Sequence, residues 1–308
     1  GTLNIGGHND SHTGTFTCGT GSVDFNGAGQ SVRGTTYNNL TFSGSGSKSL
    51  TGPMTANGNI TISSTLDVSG ANYAIDIKGN WTNNGTFTAQ AGAVTFSSTT
   101  AAQTISGTTA TNFNDLNITN TFSPGVSLGS AQSLTGILTL GANSFFVTTG
   151  QTFTLVSTAA ATASIAVVPA TATFTGDINM QRYATGGNTG WACIGAPVSS
   201  ATIASWQDNF STSGFTGATG YSHGGFVSVY NYDEPTPGVM DMGYTAATNS
   251  TNSLPVGTGF FVYLGDGLTM TNNITVDVSG APYIGPQIMP LSYTDDAGQP
   301  ASEDGWNF

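Results

Sequence analysis

Ile60-Thr61-Ile62, Leu66-Asp67-Val68 and Ile75-Asp76-Ile77 follow one another within residues 60–77, each an apolar–polar–apolar triplet separated from the next by Ser, Thr, Gly and Asn. Alternation with a period of two puts one face of a strand inside and the other in water. A strand of three to five residues buries too little to stand alone, so its neighbours must stack on it. The same short pattern occurs on either side, at Leu40-Thr41-Phe42, Val94-Thr95-Phe96 and Leu116-Asn117-Ile118. Stacked short strands punctuated by Gly predict a β-solenoid of the parallel β-helix kind. An antiparallel sandwich array is the second reading.

The pattern also recurs over a longer distance. Val23-Asp24-Phe25 returns as Val94-Thr95-Phe96, Gln30-Ser31-Val32 as Gln103-Thr104-Ile105, Tyr37-Asn38-Asn39-Leu40 as Phe113-Asn114-Asp115-Leu116, and Ile60-Thr61-Ile62 as Leu138-Thr139-Leu140. The order is kept while the offset creeps from 71 to 78 residues. This reads as an internal duplication, with copies at about 14–84 and 85–156, inside a solenoid spanning residues 1–170.

Residues 171–302 have a different texture. Eleven of the sixteen acidic residues lie after residue 170, and Trp, Tyr and Pro become more common. Strands are expected at Trp191–Ile194, Phe226–Tyr232, Gly259–Leu264 and Leu268–Val278, with long loops between them, which suits a β-sandwich-like module. One turn of helix is expected within Ala201–Phe210. The last residues, 303–308, read as the start of a following domain, so the chain is expected to be a segment of a longer one.

Composition excludes several functions. Four Lys+Arg against 16 Asp+Glu give a net charge of −12, and such a chain cannot neutralise a nucleic-acid backbone. It lacks the basic face that binds an anionic membrane, and no apolar run is long enough to span a bilayer as a helix. Cys18 and Cys193 read as two free thiols, each buried as a small apolar residue.

Candidate sites are few. His8 and His12 lie in Gly/Asn/Ser-rich sequence, and His223 reads as a loop histidine rather than the base of a Ser-His-Asp triad. Polysaccharide cleavage on a β-helix needs paired carboxylates and, for lyases, a basic group nearby. Arg33, Lys48 and Lys78 are too scattered to supply it. Calcium is the small ligand that the acidic loops suit: Asp233-Glu234 with Asp241, and Asp295-Asp296 with Glu303-Asp304, offer hard oxygens. Neither group has the spacing of a known calcium loop, and solvated acidic loops are the plainer reading. A Thr-lined ice-binding face would need coils of constant length, against which the creeping offset argues. The aromatic set Trp191, Trp206, Tyr230, Tyr232, Phe260, Phe261 and Tyr263 is expected to form the core of the sandwich. If exposed, it would instead favour a glycan-binding platform.

Several stretches resemble a known group of proteins: Gly79-Asn80-Trp81-Thr82-Asn83-Asn84-Gly85-Thr86-Phe87, Gly190-Trp191-Ala192-Cys193-Ile194-Gly195-Ala196-Pro197-Val198-Ser199, Gly257-Thr258-Gly259-Phe260-Phe261-Val262-Tyr263 and Glu303-Asp304-Gly305-Trp306-Asn307-Phe308. They are similar to the stalk and pre-terminal region of large repetitive surface proteins of the Bacteroidetes that are exported by the type IX secretion system. The resemblance implies a non-enzymatic, adhesin-like structural protein, extracellular at the cell surface, lying ahead of a C-terminal sorting domain. It implies the outer-membrane export machinery as a partner, together with other copies of the chain or surface glycans. It offers no catalytic residue and no required cofactor. The alternative is a carbohydrate-binding or polysaccharide-degrading β-helix module.

Overall fold

The structure, a computed structural model, describes residues 1–7, 14, 16–185, 190–220, 226–264, 273–285, 288–289, 291–295, 298, 300, 302 and 305. It is almost entirely β, with two 3-10 turns, Ile203–Trp206 and Met240–Gly243, among the described residues. No described helix is long and apolar enough to cross a membrane. The chain divides into two compact units. The first comprises Gly1–Val156 with Ala161–Ile178, and the second Ser157–Ala160 with Asn179–Phe308.

The first unit is the expected parallel β-solenoid and not an antiparallel array. Three strands, one on each side, make a coil. The first side carries nine strands, from Thr2–Ile5 to Thr173–Thr175, and the third carries seven, from Thr36–Tyr37 to Ser164–Ile165. The second side begins with four strands, from Gln30–Val32 to Thr86–Thr88, and resumes at Asn112–Phe113. At about 4.8 Å per strand, the nine-stranded side runs for roughly 40 Å.

Register stacks like on like. On the first side, Val23, Leu40, Ile60, Trp81 and Ile105 are successive partners, and each is at most 1% exposed. On the third side Ile75, Val94, Leu116 and Leu138 form a second buried column. Between these inward residues, Asp24, Thr41, Thr61 and Thr82 line up outward in the same register. Each fully buried Val, Leu, Ile or Phe contributes about 1.5–3 kcal/mol, so stability accumulates column by column.

Polar groups inside the coils tie down the corners, where backbone N–H and C=O groups would otherwise lack partners. Gln30 Nε2 donates to the carbonyls of Ile5 (2.7 Å) and Gly7 (2.8 Å), while its Oε1 accepts from Gly27 N–H. Gln103 does the same for Ile77, Gly79 and Ser98. Lys48, fully buried between Gln30 and Leu66, turns its Nζ onto the carbonyls of Ser45 (2.8 Å) and Gly46 (3.4 Å).

The long repeat takes a different form from the one its offset suggests. Val23-Asp24-Phe25 lies on the first side, but its match Val94-Thr95-Phe96 lies on the third. Gln30–Val32 lies on the second side and Gln103–Ser106 on the first; Ile60–Ile62 lies on the first and Ile137–Leu140 on the third. Each match is eleven strands on in chain order, which is three coils and two further sides. The unit that recurs is therefore an arc of strand, corner and strand. Every side asks the same thing of its sequence: apolar residues inward, hydroxyls outward and a tight corner.

In the second unit, an antiparallel sheet runs in the order Gly190–Gly195, Gly259–Leu264, Val229–Tyr232, Tyr244–Ala246. Strands Ile178–Ala184, whose first residue closes the first unit, and Ile274–Gly280 are neighbours in another sheet. Phe260, Val262 and Leu264 are buried on one side of the antiparallel sheet, as are Val276 and Val278 of the other. The expected helical turn is the 3-10 turn Ile203–Trp206, whose Trp206 meets Phe260 edge-on at 6.0 Å. This layering is sandwich-like.

Neither thiol matches the expected burial. Cys18 is half-buried and its sulfur accepts from Asn38 N–H at 2.9 Å, while Cys193 is exposed on the antiparallel sheet. Cys193 shares the alternation of its strand with Trp191, and that phase faces outward.

Candidate functional site

Among the described residues, the acidic side chains singled out from the sequence do not gather into one group. Asp233 follows the strand Val229–Tyr232, and its Oδ2 accepts from Thr236 Oγ1 at 2.8 Å. Glu234 is buried, accepting from the Thr294 N–H on Oε1 and from Thr294 Oγ1 (3.1 Å) on Oε2. The hydroxyl of Ser292, then Thr294 and the backbone of Gly305, hold the Glu234 carboxyl below the usual carboxylate range, with burial working the other way. Asp241 lies in the turn Met240–Gly243, and Asp295 is exposed. Asp296, Glu303, Asp304 and the three histidines His8, His12 and His223 lie outside the described residues. Among the described residues, no three of His, Cys, Asp and Glu gather. A cation at Glu234 would have to compete with the two donors of Thr294.

On the solenoid, Lys48 is committed to interior carbonyls, and Arg33 Nη1 donates to the carbonyl of Gly14. The outward threonine rank Thr41, Thr61, Thr82 is headed by Asp24, whose two oxygens accept from Ser43 Oγ at 2.8 and 2.9 Å, and gives way to Ser106.

The aromatic residues do come together, and only part of the set is core. Trp206 and Phe260 are buried as expected. Trp191, Tyr230, Tyr232, Phe261 and Tyr263 instead stand on the opposite side of the antiparallel sheet, none of them buried. Register places them there. Trp191 opposes Tyr263, Tyr230 opposes Phe261, and Tyr232 opposes Tyr244. Trp191 stacks on Phe261 at 4.7 Å and 10° between planes, with Tyr263 at 5.5 Å and Tyr230 at 5.6 Å around it. The ring layer continues through Tyr244, 5.5 Å from Phe261 and 5.2 Å from Tyr232. Phe226 closes the other end, 5.2 Å from Tyr263. Trp191 is 40% exposed and Phe226 38%. Tyr244 and Phe226 were not singled out from the sequence. The alternation of Tyr244 with the exposed Thr245 carries no apolar signal, and Phe226 precedes its strand. Burial, followed by the charges of Asp241 and Cys193, pushes the Tyr244 hydroxyl above its usual pKa; Asp241 lies in the turn Met240–Gly243 that leads into Tyr244.

Such a layer has a definite chemistry. Tyr and Trp present rigid contact area with a polar tip, suited to a ligand that is apolar on one face and hydroxylated at its edge. No protein-family model, no curated protein and no solved structure matches the chain.

Proposed function

We propose that the chain is a non-enzymatic structural and adhesive segment of a larger extracellular surface protein, the solenoid serving as a stiff stalk. The observation that carries this reading is the unbroken stack of the first side, nine strands in parallel register, with a buried apolar column from Val23 to Ile105. Each coil is bonded to the next along the axis, so bending must break many hydrogen bonds together. The outward residues are mostly Thr, Ser and Asn, which leaves a hydrated and nearly uncharged surface that suits a passive rod. Export through the type IX machinery and attachment at the cell surface belong to the same proposal and rest on the resemblance of the Gly-Asn-Trp and Gly-Trp stretches.

The test is protease shaving of intact producing cells, followed by mass analysis of the native protein. The expected outcome is loss of the protein from intact cells and a native chain longer than 308 residues. Protection until the cells are lysed overturns the surface assignment. A second reading, a carbohydrate-binding module, is favoured by the exposed ring layer of the antiparallel sheet.

A further inference from the structure

We infer that Met289, Leu291 and Tyr293 in the second unit form a docking face for a protein partner that presents an apolar groove edged by Lys or Arg. The inference goes beyond the stalk reading and does not depend on it.

Exposure is the first observation. Among the described residues thirteen large apolar side chains are exposed, and five of them fall within residues 283–293: Tyr283, Ile288, Met289, Leu291 and Tyr293. Met289, Leu291 and Tyr293 are 58%, 77% and 68% exposed. Single apolar residues scattered over a surface are ordinary, whereas a concentration of them marks an interaction site.

The order of these residues is the second observation. Ser292 and Thr294, two positions apart, both serve Glu234: the Thr294 N–H, the Thr294 Oγ1 and the Ser292 hydroxyl donate to its carboxylate. Leu291 and Tyr293 alternate with them, and Met289 is one step of two further back. A period of two is the repeat of an extended chain, with like-facing side chains about 6.6 Å apart. The usual assignment is inverted here. In Ile60–Ile62 the apolar phase is buried and Thr61 is outward, but at 289–294 the protein holds the polar phase and leaves the apolar one in water. A groove that covered it would gain about 1.5–3 kcal/mol for each large side chain fully buried. The bonds to Glu234 order the segment in advance, which lowers the entropy cost of docking.

Charge chooses the occupant. Residues 283–308 hold four carboxylates, Asp295, Asp296, Glu303 and Asp304, and no Lys, Arg or His. An anionic membrane surface would repel such a segment. A second copy of the chain brings a further net charge of −12, and one of its four cations, Lys48, is buried. A partner with a basic rim gains attraction from the same carboxylates while its groove covers the apolar phase. Pockets for alternate side chains are the usual way to read an extended segment.

The experiment places a photo-crosslinker in the full 308-residue chain as Leu291→benzoylphenylalanine, with Thr61→benzoylphenylalanine as the comparison. Each is irradiated in a total extract of producing cells, and the parent chain is tested separately on phosphatidylglycerol vesicles. One protein adduct is expected from position 291 and none from position 61, joined through a Lys- or Arg-rich peptide. With that protein purified, affinity for the full chain should weaken roughly tenfold or more in Leu291→Ser, as at a binding hot spot. It should also weaken in Tyr293→Ala and with added salt, and be unchanged in Thr61→Ala. Circular dichroism establishes that each variant is folded, and Tyr293→Ala serves if Leu291→Ser is not. The inference is overturned by the lack of an adduct specific to position 291, by an adduct with a second copy of the chain, or by binding to the vesicles. It is overturned equally by a partner whose affinity is indifferent to Leu291→Ser or to salt.

Discussion

Lys48 places an ammonium group in an otherwise largely apolar column, with Nζ held only by two carbonyls. Burial pushes its pKa below the usual lysine value, and the charge of Asp24 opposes the shift. The folded state therefore holds this proton less tightly than the unfolded chain does. The cost of the buried charge is full below the folded pKa and disappears as pH rises towards the unfolded value of about 10.4. The Lys48 component should accordingly raise stability as pH climbs towards that value, opposed by Tyr244, whose raised folded pKa loses stability over the same range; the difference in slope between wild type and Lys48→Met, read from denaturant midpoints across pH, isolates it. Glu234 has the same direction of shift but is a carboxyl, so its contribution is present above the unfolded pKa of about 4.3 and is lost as pH falls through the lowered folded value. Protection of the Thr294 amide against hydrogen exchange, measured relative to its intrinsic rate at each pH, should fall in acid. Glu234→Gln should lower it at neutral pH and flatten the acid dependence; unchanged protection in that variant would contradict the assigned bond.

At the scale of the element, the corners are as specific as the strands. Ahead of the first side, Asn39 Oδ1 accepts from Asn59 N–H at 2.9 Å, Asn59 Oδ1 from Asn80 N–H at 2.8 Å, and Asn80 Oδ1 from Thr104 N–H at 2.8 Å. The ladder needs close approach at Gly58 and Gly79, the residues before Asn59 and Asn80. A Cβ on Gly79 would lie 2.3 Å from the Gly58 carbonyl carbon, whereas one on Gly70 meets nothing within 4 Å. Gly79→Ala should cost about 1–3 kcal/mol and Gly70→Ala less than about 0.5 kcal/mol in equilibrium unfolding. Asn59→Ala, which leaves the Asn80 N–H to solvent, should cost about 0.5–1.5 kcal/mol. The solenoid strands were legible because one of their two phases is apolar and the other is not, as in Ile60-Thr61-Ile62. The antiparallel sheet was not legible in the same way. Phe260-Phe261-Val262-Tyr263-Leu264 is apolar in both phases, so periodicity cannot say which phase is core. Only the pairing of Phe261 with Cys193 and Tyr230 shows that Trp191 and Tyr263 stand on the outer side. The acidic loops were legible as sequence but not as geometry, since the partners of Glu234 lie sixty residues further on.

At the scale of the whole molecule, stacked coils pass load and stability only to their neighbours. Phe96, fully buried on the third side between Ile77 and Ile118, should cost about 3–5 kcal/mol when truncated to Ala. Exchange protection should fall most in the adjoining coils. The strand Thr2–Ile5, exposed over most of its length, should exchange fastest in the solenoid whatever the state of Phe96. The eleven-strand displacement between matched phrases has an evolutionary meaning. Eleven is not a multiple of three, so if the matched phrases descend from one duplicated stretch, every strand of the copy came to lie on a different side. Unequal recombination in the gene can therefore lengthen this solenoid in thirds of a coil, and each such event changes the bearing at which the chain leaves the stack. Natural variants differing by one arc would point whatever follows in a new direction, which gives the lineage an angular dial as well as a ruler.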